Sequence, residues 1–208
     1  MIDRRWLSKR TFEIRFSKPS SYIIRSGQRI RIYYQSMERD YTPVSAPEDP
    51  EIAFCIRKVD SGIFTPLLST AEIGTRFDIS MPEGYFTFKP SRRPPVFVAT
   101  GTGIAPFCSM VRSGVTGFTL LHGVDSPQDL YYQLKLEPVA DLYVACISSE
   151  HQSPSEYFRG RVTDYLKKHL PPAKYDFYLC GRREMIREVT WLVDERFPGS
   201  LLYSELFY

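Results

Sequence analysis

The stretch VFVATGTGIAPF, residues 96–107, decides how the rest of the chain is read. An apolar run, a glycine-bearing turn and a helix-forming run follow one another. A turn of that kind presents backbone N–H groups to a dinucleotide pyrophosphate. Two features depart from the Rossmann fingerprint: Pro106 stands where a Gly or Ala is expected, and about half the chain precedes the loop. Proline suits the first turn of a helix, where its missing N–H costs nothing. The segment therefore reads as a variant nucleotide loop, and the half of the chain ahead of it needs its own account.

That first half has a period-two rhythm. TFEIRF, RIRIYY, IAFCIRKV and TRFDISM each read as short strands, separated by the turn signals KPSS, RSGQ, APEDP, DSG and PEG. Many short strands with Pro- and Gly-rich connections argue for an antiparallel barrel or sandwich. One interruption, TPLLSTAE, reads as a short helix with Thr65 as N-cap and Pro66 in its first turn, which puts Gly62 beside a helix N-terminus suited to phosphate. KPSRRPP, residues 89–95, cannot continue a strand interior. A boundary there divides the chain into 1–92 and 93–208.

Beyond that boundary PVFVAT, GFTLLHG, DLYVACIS and YDFYLCG are nearly continuous apolar runs, as expected of parallel strands covered on both faces. Between them lie the helix candidates APFCSMVRSG, SPQDLYYQLKLE, YFRGRVTDYLKKHL and RREMIREVTWLVDERF, and SLLYSELFY closes the chain as a last strand. The alternation predicts a doubly wound parallel α/β domain, with ligands outside the C-terminal ends of its strands. Gly101, Gly103, Gly123, Ser148, Ser149, Cys180 and Gly181 all fall at those ends.

The 208 residues, 43% hydrophobic and 25% charged, suit one large domain or two small ones and set aside disorder and fibrous structure. The net charge is only +3, yet Arg4, Arg5, Lys9, Arg10, Arg15, Lys18, Arg25, Arg29 and Arg31 crowd the first 37 residues against Asp3 and Glu13. A solvated sheet face is one reading, and a docking surface for an acidic partner or anionic cofactor is another. No nucleic-acid motif accompanies the charge. Cys55, Cys108, Cys146 and Cys180 are too scattered for a zinc site or an iron–sulfur cluster, and the apolar settings of three of them suit reduced, cytosolic thiols. No segment approaches the ~20 apolar residues of a membrane span.

Two further segments carry possible chemistry. RDYTPVS, Arg39 to Ser45, offers a guanidinium for phosphate, an aromatic face and a hydroxyl, or is simply an edge strand with a turn. CGRREM, Cys180 to Met185, sets a thiol at a strand end beside a helix start, as a ligand contact or as a structural cysteine.

Taken in order, SGQRIRI, RDYTPVSAP, GIFTPLL, PEGYFTF, VFVATGTGIAPF, LLHGVDSPQDLYY, CGRREMI and SELFY resemble the ferredoxin–NADP reductase superfamily of flavoprotein reductases over essentially the whole chain. The resemblance implies a barrel that holds FAD, in preference to FMN, and an α/β domain that holds NADH or NADPH. Arg39 would pair with the flavin diphosphate, Tyr41 would lie against the isoalloxazine and Thr42 would hydrogen-bond the reactive flavin nitrogen. Arg57 would lie along the flavin tail, and Gly62, Ile63, Phe64 and Thr65 would meet its phosphate. In the second domain Thr100, Gly101, Thr102, Gly103 and Ile104 would bind the nicotinamide end and pyrophosphate of the nucleotide, with Gly123, Ser148, Gly181 and Met185 on the neighbouring loops. Cys180 would stand next to the nicotinamide, and Glu205 and Phe207 would lie close to the flavin ring.

Two departures from the superfamily pattern matter. NADPH-preferring relatives carry Ser-Arg-Glu after the third parallel strand, where this chain has Ser148, Ser149 and Glu150, and Asp125 stands where a basic residue is common. One cation fewer and one anion more favour NADH, although His151 and Arg159 nearby leave NADPH open. The cysteines of a fused ferredoxin domain are missing, so electrons would pass to a separate acidic carrier: ferredoxin, flavodoxin or an oxygenase component. The alternative is an electron-transfer subunit active only within a larger redox complex.

Overall fold

The computed structural model describes residues 1–149 and 156–206. The period-two runs form short antiparallel strands: β1 (Asp3–Trp6), β2 (Thr11–Ser17), β3 (Ile30–Tyr34), β4 (Met37–Tyr41), β5 (Glu51–Arg57) and, after helix α1 (Phe64–Thr70), β6 (Asp78–Ile79). They make two three-stranded sheets, ordered β1-β2-β5 and β4-β3-β6. A bridge from Pro43 to Phe54 leads the chain from β4 onto β5 and joins the sheets as a partly closed barrel. Phe12, Ile14, Ile30, Ile32, Phe54 and Ile56 fill the space between them, together with Phe64 and Leu68 of α1. Their burial is the main stabilising contribution, about 25 cal/mol per Å² of apolar surface removed from water.

Two local expectations change here. Of TRFDISM only Asp78–Ile79 pairs as a strand, and Phe77 ahead of it packs on Phe16 and Tyr34. Helix α1 begins one residue earlier than Thr65, with Ile63 at the N-cap position. Thr65 does not cap it, because its hydroxyl accepts a hydrogen bond from the Val59 amide at 2.9 Å and braces the preceding turn.

The later part of the chain contains β7 (Pro95–Thr100), a 3₁₀ turn (Gly101–Ile104), α2 (Ala105–Arg112), β8 (Thr119–Val124), α3 (Gln133–Leu136), β9 (Leu142–Ile147), β10 (Phe158–Arg159), α4 (Val162–His169), β11 (Asp176–Gly181), α5 (Arg183–Arg196) and β12 (Leu201–Leu206). Its strands form one parallel six-stranded sheet ordered β10-β9-β8-β7-β11-β12. From β7 the chain adds strands on one side as far as β10, then returns to add β11 and β12 on the other. The switch point of this doubly wound sheet therefore lies between β7 and β11, where open α/β sheets bind ligands. Val96, Val98, Leu121, Phe177 and Leu179 of the sheet pack against Leu166 of α4 and Val189 and Val193 of α5.

Two helix candidates are shorter than their sequence pattern suggests. SPQDLYYQLKLE breaks into a 3₁₀ turn at Pro127–Asp129 and the short α3, interrupted by Tyr132 at φ +62°. YFRGRVTDYLKKHL first runs as β10 beside Cys146 and Ile147, and turns helical only at Val162. The Asp164 carboxylate accepts the Arg161 amide at 2.9 Å at that helix start.

The chain divides into two units, one comprising Met1–Phe88 with Ala105–Gly114 and the other Lys89–Ile104 with Val115–Tyr208. The helix after the glycine turn thus groups with the antiparallel strands. Its Ser109 hydroxyl donates to the Ser45 carbonyl at 2.7 Å, Ser26 donates to the Ser109 carbonyl at 3.1 Å, and Arg112 pairs with Asp49. In the second unit KPSRRPP is held by the buried carboxylate of Asp176, which accepts from Ser91 at 2.5 Å and Arg93 at 3.3 Å. Among the described residues no helix is long and apolar enough to cross a membrane.

Candidate functional site

The first unit gathers the RDYT residues at the end of β4. On this strand Asp40 is bound by Arg31 through two hydrogen bonds, at 2.6 and 3.1 Å, and lies 3.4 Å from Arg29. Arg31 also pairs with Glu38 at 3.2 Å and holds the Asp40 carboxyl below the ordinary carboxylate range. Both carboxylates flanking Arg39 are therefore engaged by other cations. Arg39 is exposed, donates to the Glu38 carbonyl at 2.6 Å, and has no carboxylate partner among the described residues. A guanidinium left in this state suits a phosphate, which it can grip with parallel N–H donors.

Tyr41, next but one along the strand, is half-buried. Its ring lies nearly parallel to Phe64 at 6.3 Å and meets Phe54 edge-on at 6.2 Å. Burial pushes its phenol well above the ordinary value, with Arg39 pulling the other way. Thr42 is 2% exposed, and its Oγ1 has no hydrogen-bond partner among the described residues. An orphaned buried hydroxyl costs about 1–3 kcal/mol unless another group satisfies it. A guanidinium without a counter-charge, an aromatic face and an unsatisfied hydroxyl within four residues fit a flat polar ring carrying a diphosphate. Arg57 is exposed at the end of β5, and Ile63 is 70% exposed beside Gly62, whose amide is already donated to Val59. The Thr65 hydroxyl accepts from Val59 and keeps its own proton to give.

In the second unit three strand ends converge on Thr100. The Thr100 hydroxyl accepts the Arg182 amide at 2.9 Å. A Cβ on Gly103 would lie 2.3 Å from the Cys180 carbonyl oxygen, and one on Gly181 would lie 2.1 Å from Thr100 Oγ1. The glycines therefore let the Gly101–Ile104 turn sit directly against the end of β11, at the switch point, with the half-exposed Gly101 and Thr102 on its outer part. Gly123 is paired with Thr100 in the sheet, and Ile104 is fully buried.

Cys180 is wholly buried, opposite Ala99 on one side and Glu205 on the other. Burial first, and the charge of Glu205 second, hold its thiol well above the ordinary value. It is a neutral, compact wall rather than a nucleophile. Met185 faces the apolar core with Val96 and Phe177. Glu205 is half-buried on β12, while Phe207, Glu150 and His151 lie outside the described residues.

At the ends of β8 and β9 the Ser148 hydroxyl lies 3.2 Å from both the Val124 carbonyl and Asp125 Oδ1. Asp125 Oδ2 is 3.4 Å from Arg182 Nη2, with both side chains more than half exposed. Asp125 stood out in the sequence, but its pairing with Arg182 did not, nor did His122, which is wholly buried. The one available signal was a polar ring inside the apolar run GFTLLHG.

Comparison with known proteins matches residues 2–88 to the oxidoreductase FAD-binding domain family and residues 97–190 to the oxidoreductase NAD-binding domain family. The chain belongs to the ferredoxin–NADP reductase superfamily. Among curated relatives, it is 33% identical over 164 residues to the toluate 1,2-dioxygenase electron transfer component of Pseudomonas putida, a match covering 73% of this chain and 48% of the relative. It is 30% identical over 213 residues to the reductase component of the naphthalene 1,2-dioxygenase system of Pseudomonas putida, covering 96% of this chain and 64% of the relative. The chain thus spans about half to two thirds of the relatives' length. The same fold occurs in the crystal structure of a ferredoxin NADP+ reductase from Neisseria gonorrhoeae with bound FAD and NADP, at a TM-score of 0.87 and 21% identity, covering 100% of this chain and 96% of that one. The superfamily arrangement of an antiparallel flavin domain ahead of a parallel α/β domain is the one read from the sequence.

Proposed function

We propose that this chain is an FAD-containing reductase that takes a hydride from a pyridine nucleotide and passes electrons to a separate carrier protein. The observation that carries this reading is the RDYT cluster: an Arg39 without a carboxylate partner among the described residues and a Thr42 hydroxyl buried without one. In this reading Arg39 holds the flavin diphosphate, Tyr41 lies against the ring, and the Thr42 hydroxyl is satisfied at the ring edge. Arg57 lies along the tail, and Gly62 to Thr65 meet its phosphate. Bound FAD supplies the conversion of a two-electron hydride into single electrons.

The Gly101–Ile104 turn holds the nucleotide pyrophosphate at the switch point through its amides, as helix-entry turns do. Cys180, wholly buried and kept protonated, leaves no thiolate beside the nicotinamide. The acceptor is an acidic electron carrier such as a ferredoxin, a flavodoxin or an oxygenase component. The toluate and naphthalene dioxygenase relatives support that class, as do the exposed Arg5, Lys9 and Arg10 at the β1–β2 hairpin. Ferricyanide reduction by the purified chain with NADH tests the reading. Turnover is expected from the chain alone, and its absence from flavin-loaded protein would favour a subunit active only in a complex.

The nucleotide is NADH in preference to NADPH. A 2′-phosphate carries nearly two negative charges, and Asp125 puts a carboxylate at the end of β8 while neutralising Arg182. Asp125→Asn removes the anion and releases the guanidinium. It should shift the ratio of kcat/KM for NADPH over NADH upward by about tenfold, equivalent to ~1.4 kcal/mol. An unchanged ratio would count against Asp125 as the discriminating residue.

A further inference from the structure

His122 is wholly buried on β8, directly opposite Ala99 of β7 and Ala145 of β9, whose small side chains leave room for an imidazole. Its Nδ1 lies 2.9 Å from the Tyr143 hydroxyl. Its Nε2 is buried and meets no hydrogen-bond partner among the described residues. The other groups acting on the ring are the Gly101 backbone, which favours a proton on the imidazole as a carbonyl acceptor does, and the charge of Asp129. Nε2 forms no hydrogen bond to the Gly101 backbone. This leaves an unsatisfied ring nitrogen beneath the first glycine of the nucleotide turn.

A neutral imidazole has one N–H and one acceptor nitrogen, and the partner of one fixes the role of the other. A carbonyl can only accept. A Gly101 carbonyl bonded to the ring would therefore require the tautomer with the proton on Nε2, in which Tyr143 donates to Nδ1. The trans peptide adds a geometric consequence: the Gly101 carbonyl and the Thr102 N–H point to opposite sides of the same plane. Drawing the carbonyl inward to His122 turns the Thr102 amide outward, to the side from which a phosphate would approach.

We propose that His122 is a positioning residue for the pyridine nucleotide: its Nε2–H engages the Gly101 carbonyl as the Gly101–Ile104 turn closes on the pyrophosphate, and Tyr143 keeps the ring in the required tautomer. The inference rests on the nucleotide-binding reading of that turn. It makes nucleotide binding the event that satisfies a buried polar atom, so affinity is gained from a group that never touches the ligand.

The test compares His122→Phe, which fills the volume without a polar atom, with His122→Gln, which keeps an N–H donor, and with Tyr143→Phe, which frees the tautomer. Calorimetric titration of the flavin-containing protein with NAD+ should show binding about 5- to 10-fold weaker in H122F, within about twofold of wild type in H122Q, and intermediate in Y143F, as expected for one hydrogen bond. In turnover the loss should fall on KM for NADH more than on kcat. Nitrogen-15 spectra of the histidines should show the Nε2–H tautomer, with the Nε2 proton moving downfield when NAD+ is added. An H122F protein that binds like wild type, an H122Q protein as weak as H122F, or an Nδ1–H ring would each overturn the proposal. If H122F does not fold, the spectra and Y143F still decide. Wild-type protein that binds no nucleotide would defeat the functional reading and this inference together, whereas wild-type binding with an indifferent H122F defeats the inference alone.

Discussion

Replacing Gly103 with alanine is expected to destabilise the protein by roughly 3 kcal/mol or more and to abolish measurable binding of a pyridine nucleotide. The added methyl would fall 2.3 Å from the Cys180 carbonyl oxygen, 2.6 Å from its carbon and 2.7 Å from the Gly181 Cα. These are backbone atoms of a central strand, already fixed by pairing with β7 and β12. They cannot swing aside as a flexible side chain would. The turn must lift away from β11 instead, and that displaces the amides proposed to meet the pyrophosphate. Thermal unfolding and NAD+ titration of G103A measure the two consequences separately. Wild-type values for both would mean that the close approach of turn and strand is not what shapes the nucleotide site.

The second large effect is one of acidity. Burial lowers the His122 pKa from 6.5 to about 4, with the Gly101 backbone and Asp129 only partly opposing it. The Tyr143 hydroxyl also faces the ring, at Nδ1. Between those two values the unfolded chain binds a proton that the folded chain refuses. Stability is therefore full above pH 6.5 and declines as pH falls, the loss being complete below about 4. The displacement is equivalent to on the order of 3 kcal/mol. Urea unfolding of wild type and H122Q across this range isolates the contribution, because the carboxylates that also titrate there are common to both. The wild type should lose more stability on acidification by that amount. Parallel curves would mean that the ring takes up its proton in the folded state at an ordinary pH.

The parts of the fold that were legible in the sequence are those written in the backbone. Period-two runs, continuous apolar runs and the glycines of VFVATGTGIAPF each constrain main-chain geometry, and each appears in the structure as strand, central strand or turn. The less legible features depend on side chains that meet only after folding. Nothing in APFCSMVRSG says that its helix groups with the antiparallel strands, because that depends on Ser109 meeting Ser45 and Arg112 meeting Asp49, about sixty residues away. Thr65 has the composition of an N-cap, yet its hydroxyl is taken by Val59. Tyr132 breaks a helical pattern with a positive φ that an aromatic residue gives no reason to expect. In the site, Arg39 could be named from its motif, but its availability follows from Arg31 and Arg29 engaging the flanking acids across the sheet. His122 was hidden for the same reason: its buried ring meets Tyr143 of the neighbouring strand only after folding.

The central claim is a flavin on the RDYT cluster reduced by a nucleotide on the glycine turn. Anaerobic titration of the purified protein, after release and identification of its cofactor, tests it most directly. The account predicts close to one FAD per chain, its yellow colour bleached by about one equivalent of NADH and less readily by NADPH. A colourless protein that cannot be reconstituted with FAD or FMN, or a bound flavin that neither nucleotide reduces, would contradict it.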